Sequence, residues 1–95
     1  MQILKTNEYS SWEAKLRDLR ARAHIDARIR RLGLGHFSDS KSVGDGVSEI
    51  RIHYGPGYRL YYTRRGLEIV ILLVGGDKKT QKRDIELAKL MAKNI

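Results

Sequence analysis

The sequence predicts an α+β domain of order β-α-α-β-β-β-α, built on a mainly antiparallel four-stranded sheet with two N-terminal helices and a C-terminal helix. Three observations predict it. Apolar residues recur at helical spacing on either side of a strand-rich centre, three strand-like runs lie together between Val47 and Val74, and a Gly-Pro-Gly turn at Gly55 to Gly57 joins the first two of those runs.

Taken in order, "MQILKT" holds Ile3 and Leu4 before a polar break and reads as a short strand. In "NEYSSWEAKLRDL", Trp12, Leu16 and Leu19 fall at i, i+4 and i+7, one stripe of a helix that Ser10 or Ser11 would cap. Ile25, Ile29 and Leu32 continue the spacing until the glycines at 33 and 35 stop it. The two stripes differ in phase, which predicts two helices or one bent helix. From Gly33 to Gly46 the chain is rich in Gly, Ser and Asp without a sustained period, so a connecting loop is expected there. "VSEIRIHY" and "YRLYYTR" alternate and predict strands with one polar face. "EIVILLV" is apolar throughout and predicts a strand covered on both faces. Last, Ile85, Ala88 and Met91, or Leu87, Leu90 and Met91, give the apolar side of a final helix, with Asp77 or Thr80 as its cap.

At 95 residues the chain fits one domain spanning positions 1–95 with a modest core. Lys and Arg number 19 against 11 Asp and Glu, a formal charge of +8, which directs the molecule toward polyanions. Cysteine is absent, so disulfides and thiolate metal sites are excluded. The first residues lack the apolar stretch of a signal peptide and the run Ile69 to Val74 is too short to span a bilayer, so a cytoplasmic protein without membrane contact is expected.

The hairpin concentrates the chemistry. If Tyr54 and Tyr58 close the turn, His53 faces Arg59, Arg51 faces Tyr61 and Glu49 faces Thr63, all on one side of the sheet. Arginine binds phosphate, histidine moves protons near neutral pH and tyrosine stacks on bases, so this face is the candidate site. An exposed cross-strand pair of Arg59 with Glu49 or Glu68 is the plainer reading of the same residues. Lys78 and Lys79 add a second basic group where the third run meets the last helix. His24 and His36 have no third ligand at metal spacing, and neither a metal nor a cofactor is expected. The arginines of the helical pair read most simply as its solvated face; contact with ribosomal RNA or an acidic partner is the alternative.

Laid end to end, "YGPGYRLYY", "VGDG" and "GGDKKTQKRDIELA" resemble the RelE/ParE superfamily of toxins from type II toxin–antitoxin pairs, in the compact, HigB-like, phage-derived addiction-module branch. The likeness extends over nearly the whole chain. It implies that the helical pair lies on one side of the sheet and that the other, concave side is the working surface. It further implies a metal-independent, ribosome-dependent mRNA endoribonuclease that blocks translation, neutralised by a cognate antitoxin with a helix-turn-helix DNA-binding domain. On that resemblance Arg59 matches the arginine that contacts the scissile phosphate, Arg51 and His53 fall near basic positions of the family, and Lys78 and Lys79 fall near the basic segment before the last helix. Gln81 and Arg83 become further RNA contacts. The family's best-studied branch carries a proton-transferring tyrosine in the last helix, whereas this chain reads "QKRDIEL" there. Either Tyr61 or His53 takes that role, or the chain acts as a ParE-like poison of DNA gyrase without nuclease activity.

Overall fold

A computed structural model describes all 95 residues. The elements are β1 (Gln2–Lys5), α1 (Asn7–Ala14), α2 (Leu19–Gly33), β2 (Ser40–Gly44), β3 (Val47–Ile52), β4 (Tyr58–Arg65), β5 (Ile69–Gly76), a 3-10 turn (Lys78–Thr80) and α3 (Gln81–Lys93). They form an α+β fold on one five-stranded sheet in the order β1-β5-β4-β3-β2. β1 runs parallel to β5, and the remaining pairs are antiparallel.

The fifth strand is β2, which lies inside the stretch expected to be loop. Its sequence, "SKSVG", has Val43 as its sole apolar side chain because it is an outer strand, and polar residues on an edge discourage pairing with other chains. Its register against β3 is set by the tight turn that follows, where Gly44, Asp45 and Gly46 all take positive φ.

The N-terminal caps also differ from expectation. α1 begins before Ser10 and Ser11 because Thr6, directly after β1, caps it. The Thr6 hydroxyl accepts from the Tyr9 amide at 3.0 Å and donates to the Leu73 carbonyl at 2.7 Å, tying helix start to sheet. Tyr9 is thereby fully buried, while Leu19 falls outside α1 and is exposed. The helical pair is two helices: Asp18 starts the second by accepting from the Arg20 amide at 2.9 Å. Ile25 and Leu32 are buried as their spacing requires. At the C-terminal side Asp77 and Thr80 close a reciprocal capping box around the 3-10 turn.

The hairpin register is displaced by two residues. Ile52 pairs with Tyr58, Arg51 with Arg59, Glu49 with Tyr61 and Val47 with Thr63. Tyr54 does not close the turn because its hydroxyl donates to Asp18 Oδ2 at 2.8 Å and its ring stacks on His24 at 4.7 Å, which draws the loop toward α2. A displacement of two preserves the alternation, so Glu49, Arg51, Arg59, Tyr61 and Thr63 do share a face.

That face is not open to water. α1 and α2 cover the opposite side, packing Tyr9, Ile25 and Leu32 on Ile50, Ile52, Leu60, Tyr62, Val70 and Leu72. α3 covers this one, setting Ala88, Ile85, Leu87 and Met91 on Val47, Tyr61, Ile71, Leu73 and Val74. The central strand β4 is consequently buried on both faces from Arg59 to Thr63, like β5. Helices approach the end of β5 from both sides, and both of its glycines are needed. A Cβ at Gly75 would overlap the Trp12 indole, and one at Gly76 would overlap the Asp84 carboxylate. Gly75→Ala is therefore expected to lower stability by about 1–3 kcal/mol, the cost of overpacking, read as a lower midpoint in urea unfolding.

Candidate functional site

Glu49 is the sole acidic residue between Val47 and Arg65, and it is only 2 % exposed. A buried carboxylate persists only with partners, and Glu49 has them from three elements. Arg51 Nε donates to Oε1 at 2.8 Å from its own strand. The Tyr61 hydroxyl donates to Oε2 at 3.0 Å from β4, and Gln81 Nε2 donates to the same oxygen at 3.0 Å from the first turn of α3. Arg59 Nε stands 3.7 Å from that oxygen as an ion pair. Burial pushes the carboxyl toward its neutral form, yet the hydrogen bonds from Arg51, Gln81 and Tyr61 outweigh burial and hold its pKa below the ordinary 4.5.

Arg59 is the second residue of β4, at 7 % exposure. Its Nε and Nη1 are buried and have no hydrogen-bond partner. Beside it is a hollow of about 270 Å3 lined by Arg51, His53, Gly57, Tyr58, Arg59 and Lys78, with Ile52 at its edge. Two loops bring these groups together. The five-residue turn His53–Gly57 carries His53 out of the ladder, and the capped turn after β5 carries Lys78 close enough to Gly57 that a Cβ at that position would touch the Lys78 side chain.

Not every expected site residue reaches this hollow. Tyr61 lies in the core with no exposure, bonded to Glu49, so the expected surface for stacking on a base is absent at that position. Burial first, then the neighbouring Glu49 charge, push its phenol well above the usual tyrosine range. It stays protonated near neutrality and serves as a donor. Gln81 is likewise taken up by Glu49. Lys79, in the 3-10 turn, and Arg83, in α3, border a separate surface with Lys82 and Glu86 instead. No group of His, Asp and Glu converges in a way that could hold a metal ion.

Of the residues singled out from the sequence, Arg51, His53, Arg59 and Lys78 line one hollow; Glu49, which organises them, was missed in that role. The available signal was that lone acid at an inward position among aromatic and basic neighbours. Also missed was a second basic hollow on the other side of Arg51, shared with α2 and β2.

The depressed pKa makes Glu49 a source of pH-dependent stability. The unfolded chain binds a proton on this residue at the ordinary value and the folded chain only at a lower one. The stabilisation is therefore complete above about pH 4.5 and is lost as pH falls through the folded value. Glu49→Gln should flatten that acid limb in pH-dependent denaturant melts. At pH 7 it should cost about 1–3 kcal/mol, a range that allows for screening through the half-exposed Arg51.

Residues 10–93 match the family described as Phage derived protein Gp49-like (DUF891). An uncharacterized protein of Haemophilus influenzae (strain Rd) is 52 % identical over 95 residues, covering 100 % of this chain and 96 % of that one. Among solved structures, a mutant of the E. coli toxin RelE in the free state superposes with a TM-score of 0.67 at 16 % identity, covering 88 % of this chain and 93 % of that chain. That likeness establishes the fold, which is the RelE fold. The chain belongs to the phage-derived Gp49-like family.

Proposed function

We propose that this chain is a RelE-type toxin, a single cytoplasmic domain that cuts mRNA on the ribosome without a metal ion and is held in check by a cognate antitoxin. The observation that carries the proposal is Arg59. A guanidinium whose Nη1 is buried without a hydrogen-bond partner and whose Nε meets only a long ion pair with Glu49, beside a hollow of basic side chains, is an incomplete arrangement that an anion in the hollow would complete. The family membership and the RelE fold support the same reading. An antitoxin with a helix-turn-helix domain, covering the basic groups or displacing α3, is the partner this reading requires.

The reaction has three needs: removal of a proton from the ribose 2′-hydroxyl, stabilisation of the charge on the pentacoordinate phosphorane, and a proton for the departing 5′-oxygen. Arg59 serves the second, because its fork of donors matches the equatorial oxygens and Glu49 fixes its orientation. His53 serves proton transfer, since it lines the hollow and imidazole is the side-chain type suited to taking up and giving up a proton near neutral pH. Lys78 serves the leaving oxygen or the adjoining phosphate. Arg51, bonded to Glu49 on one side and open to the hollow on the other, holds the phosphate beside it. Tyr61 and Gln81 act through Glu49. Lys79 and Arg83 contact RNA further along, outside the hollow.

A ParE-like gyrase poison is the competing reading, favoured by the absence of a tyrosine from α3 and the burial of Tyr61. One experiment separates the two. The purified protein is added to in-vitro translation of a defined mRNA, RNA ends are mapped, and gyrase supercoiling is measured alongside. Cuts that depend on translation are expected. Arg59→Lys keeps the charge opposite Glu49 but removes the fork, and should slow cutting by about 10²–10³-fold. Uncut mRNA with blocked supercoiling would overturn the proposal.

A further inference from the structure

The hollow beside Arg59 does not end at the hairpin. Past Arg51 and His53, which line both, it opens into a wider one of about 440 Å3 bounded by Arg28, Arg31, Asp39, Lys41 and Glu49. Arg28 and Arg31 lie one turn apart on α2 and reach the same carboxylate, with Asp39 Oδ2 at 3.8 Å and 2.9 Å respectively. Lys41 pairs with Glu49 across the β2–β3 ladder. The Asp39 carboxylate and the Arg31 guanidinium are each about half exposed, so their pairing adds little stability. Its effect is to hold two guanidinium groups at the mouth of the trough. Four permanent cations, Arg28, Arg31, Lys41 and Arg51, face two carboxylates there, and Glu49 is already engaged by Arg51, Tyr61 and Gln81.

We infer that this wider hollow is a second phosphate subsite, and that the protein takes a stretch of single-stranded RNA laid across both hollows. The inference rests on the proposed function and adds to it a path and a minimum length for the substrate. A protein segment is the poorer occupant. Protein interfaces are organised around apolar and aromatic anchors, and no apolar side chain lines this trough. A polynucleotide needs cations spaced along its backbone and a flat ring on which a base can rest. The trough supplies the first on α2, β2 and β3, and His53 supplies the second at the junction of the two hollows. Because Arg51 and His53 border both, an RNA strand held at one hollow passes them on its way to the other.

The test measures binding of the full chain to 2′-O-methyl oligoribonucleotides of increasing length, which lack the attacking hydroxyl and stay intact. Fluorescence anisotropy is read over a range of salt. Affinity should rise with length until both hollows are occupied. The combined substitution Arg28→Ala, Arg31→Ala and Lys41→Ala should abolish that rise, leave binding of the shortest oligonucleotides at the wild-type level, and reduce the salt slope by about 2. Arg17→Ala with Arg20→Ala and Arg30→Ala removes the same charge elsewhere on the helical pair and should retain the full length dependence. Wild-type affinity that ignores length, or an equal loss in both triple variants, would overturn the subsite. So would preferential binding of polyglutamate that the first triple variant loses, which would mark an acidic protein partner. Cutting in the translation assay is read separately. A chain that cuts mRNA yet shows no length dependence refutes the subsite and leaves the function standing, whereas a chain that never cuts refutes the function.

Discussion

The buried charge of Glu49 is the constraint around which the site is arranged. A carboxylate removed from water must recover its lost hydration from neighbours, and here β3, β4 and α3 each contribute a donor. One interaction therefore registers the hairpin, orients two arginines and seats the start of the last helix. It also explains why a strongly basic molecule tolerates Arg59 in its interior. With Glu49 beside it the guanidinium is neutralised at Nε, while the buried Nη1 is left without a hydrogen-bond partner.

The same arrangement divides the polar residues of the hairpin by task. Those that face Glu49 from the sheet, Tyr61 above all, are sealed beneath α3 and act as supports. Those at the open end, where β3 runs into the turn, remain in contact with water: Arg51 and His53 are exposed, and Lys78 joins them from the far end of β5. Strands thus hold Arg51 and Arg59 in fixed positions, and the adjoining loops add His53 and Lys78, a combination suited to a site that needs both fixed geometry and access. The cap at Asp77 and the close packing around Gly76 fix the turn that presents Lys78.

How much of this was legible in the sequence follows from which interactions are local. β3, β4, β5 and α2 were visible because their side-chain periods are read within a few residues, and the pairing of faces survived a register displaced by two. β2 was hidden because an edge strand with a single valine has no apolar period, although its Gly-Asp-Gly turn was the available sign. The cap at Thr6 was hidden because that residue is the single link between a strand and a helix. The burial of Tyr61 and Thr63 depends on where α3 docks, which no local pattern states. Tyr54 left the ladder for Asp18, a partner far away in sequence, and so altered the hairpin.

The central claim is that the Arg59 guanidinium, held by Glu49, is the phosphate-binding centre of the molecule. The most direct measurement is the side-chain Nε–H resonance of arginines in 15N-labelled protein during titration with an uncleavable 2′-O-methyl oligoribonucleotide. The account predicts that the Arg59 and Arg51 signals move together and saturate, and that the Arg59 response disappears in Glu49→Gln. Shifts confined to solvated arginines such as Arg17 and Arg20, with Arg59 unmoved at saturation, would contradict it.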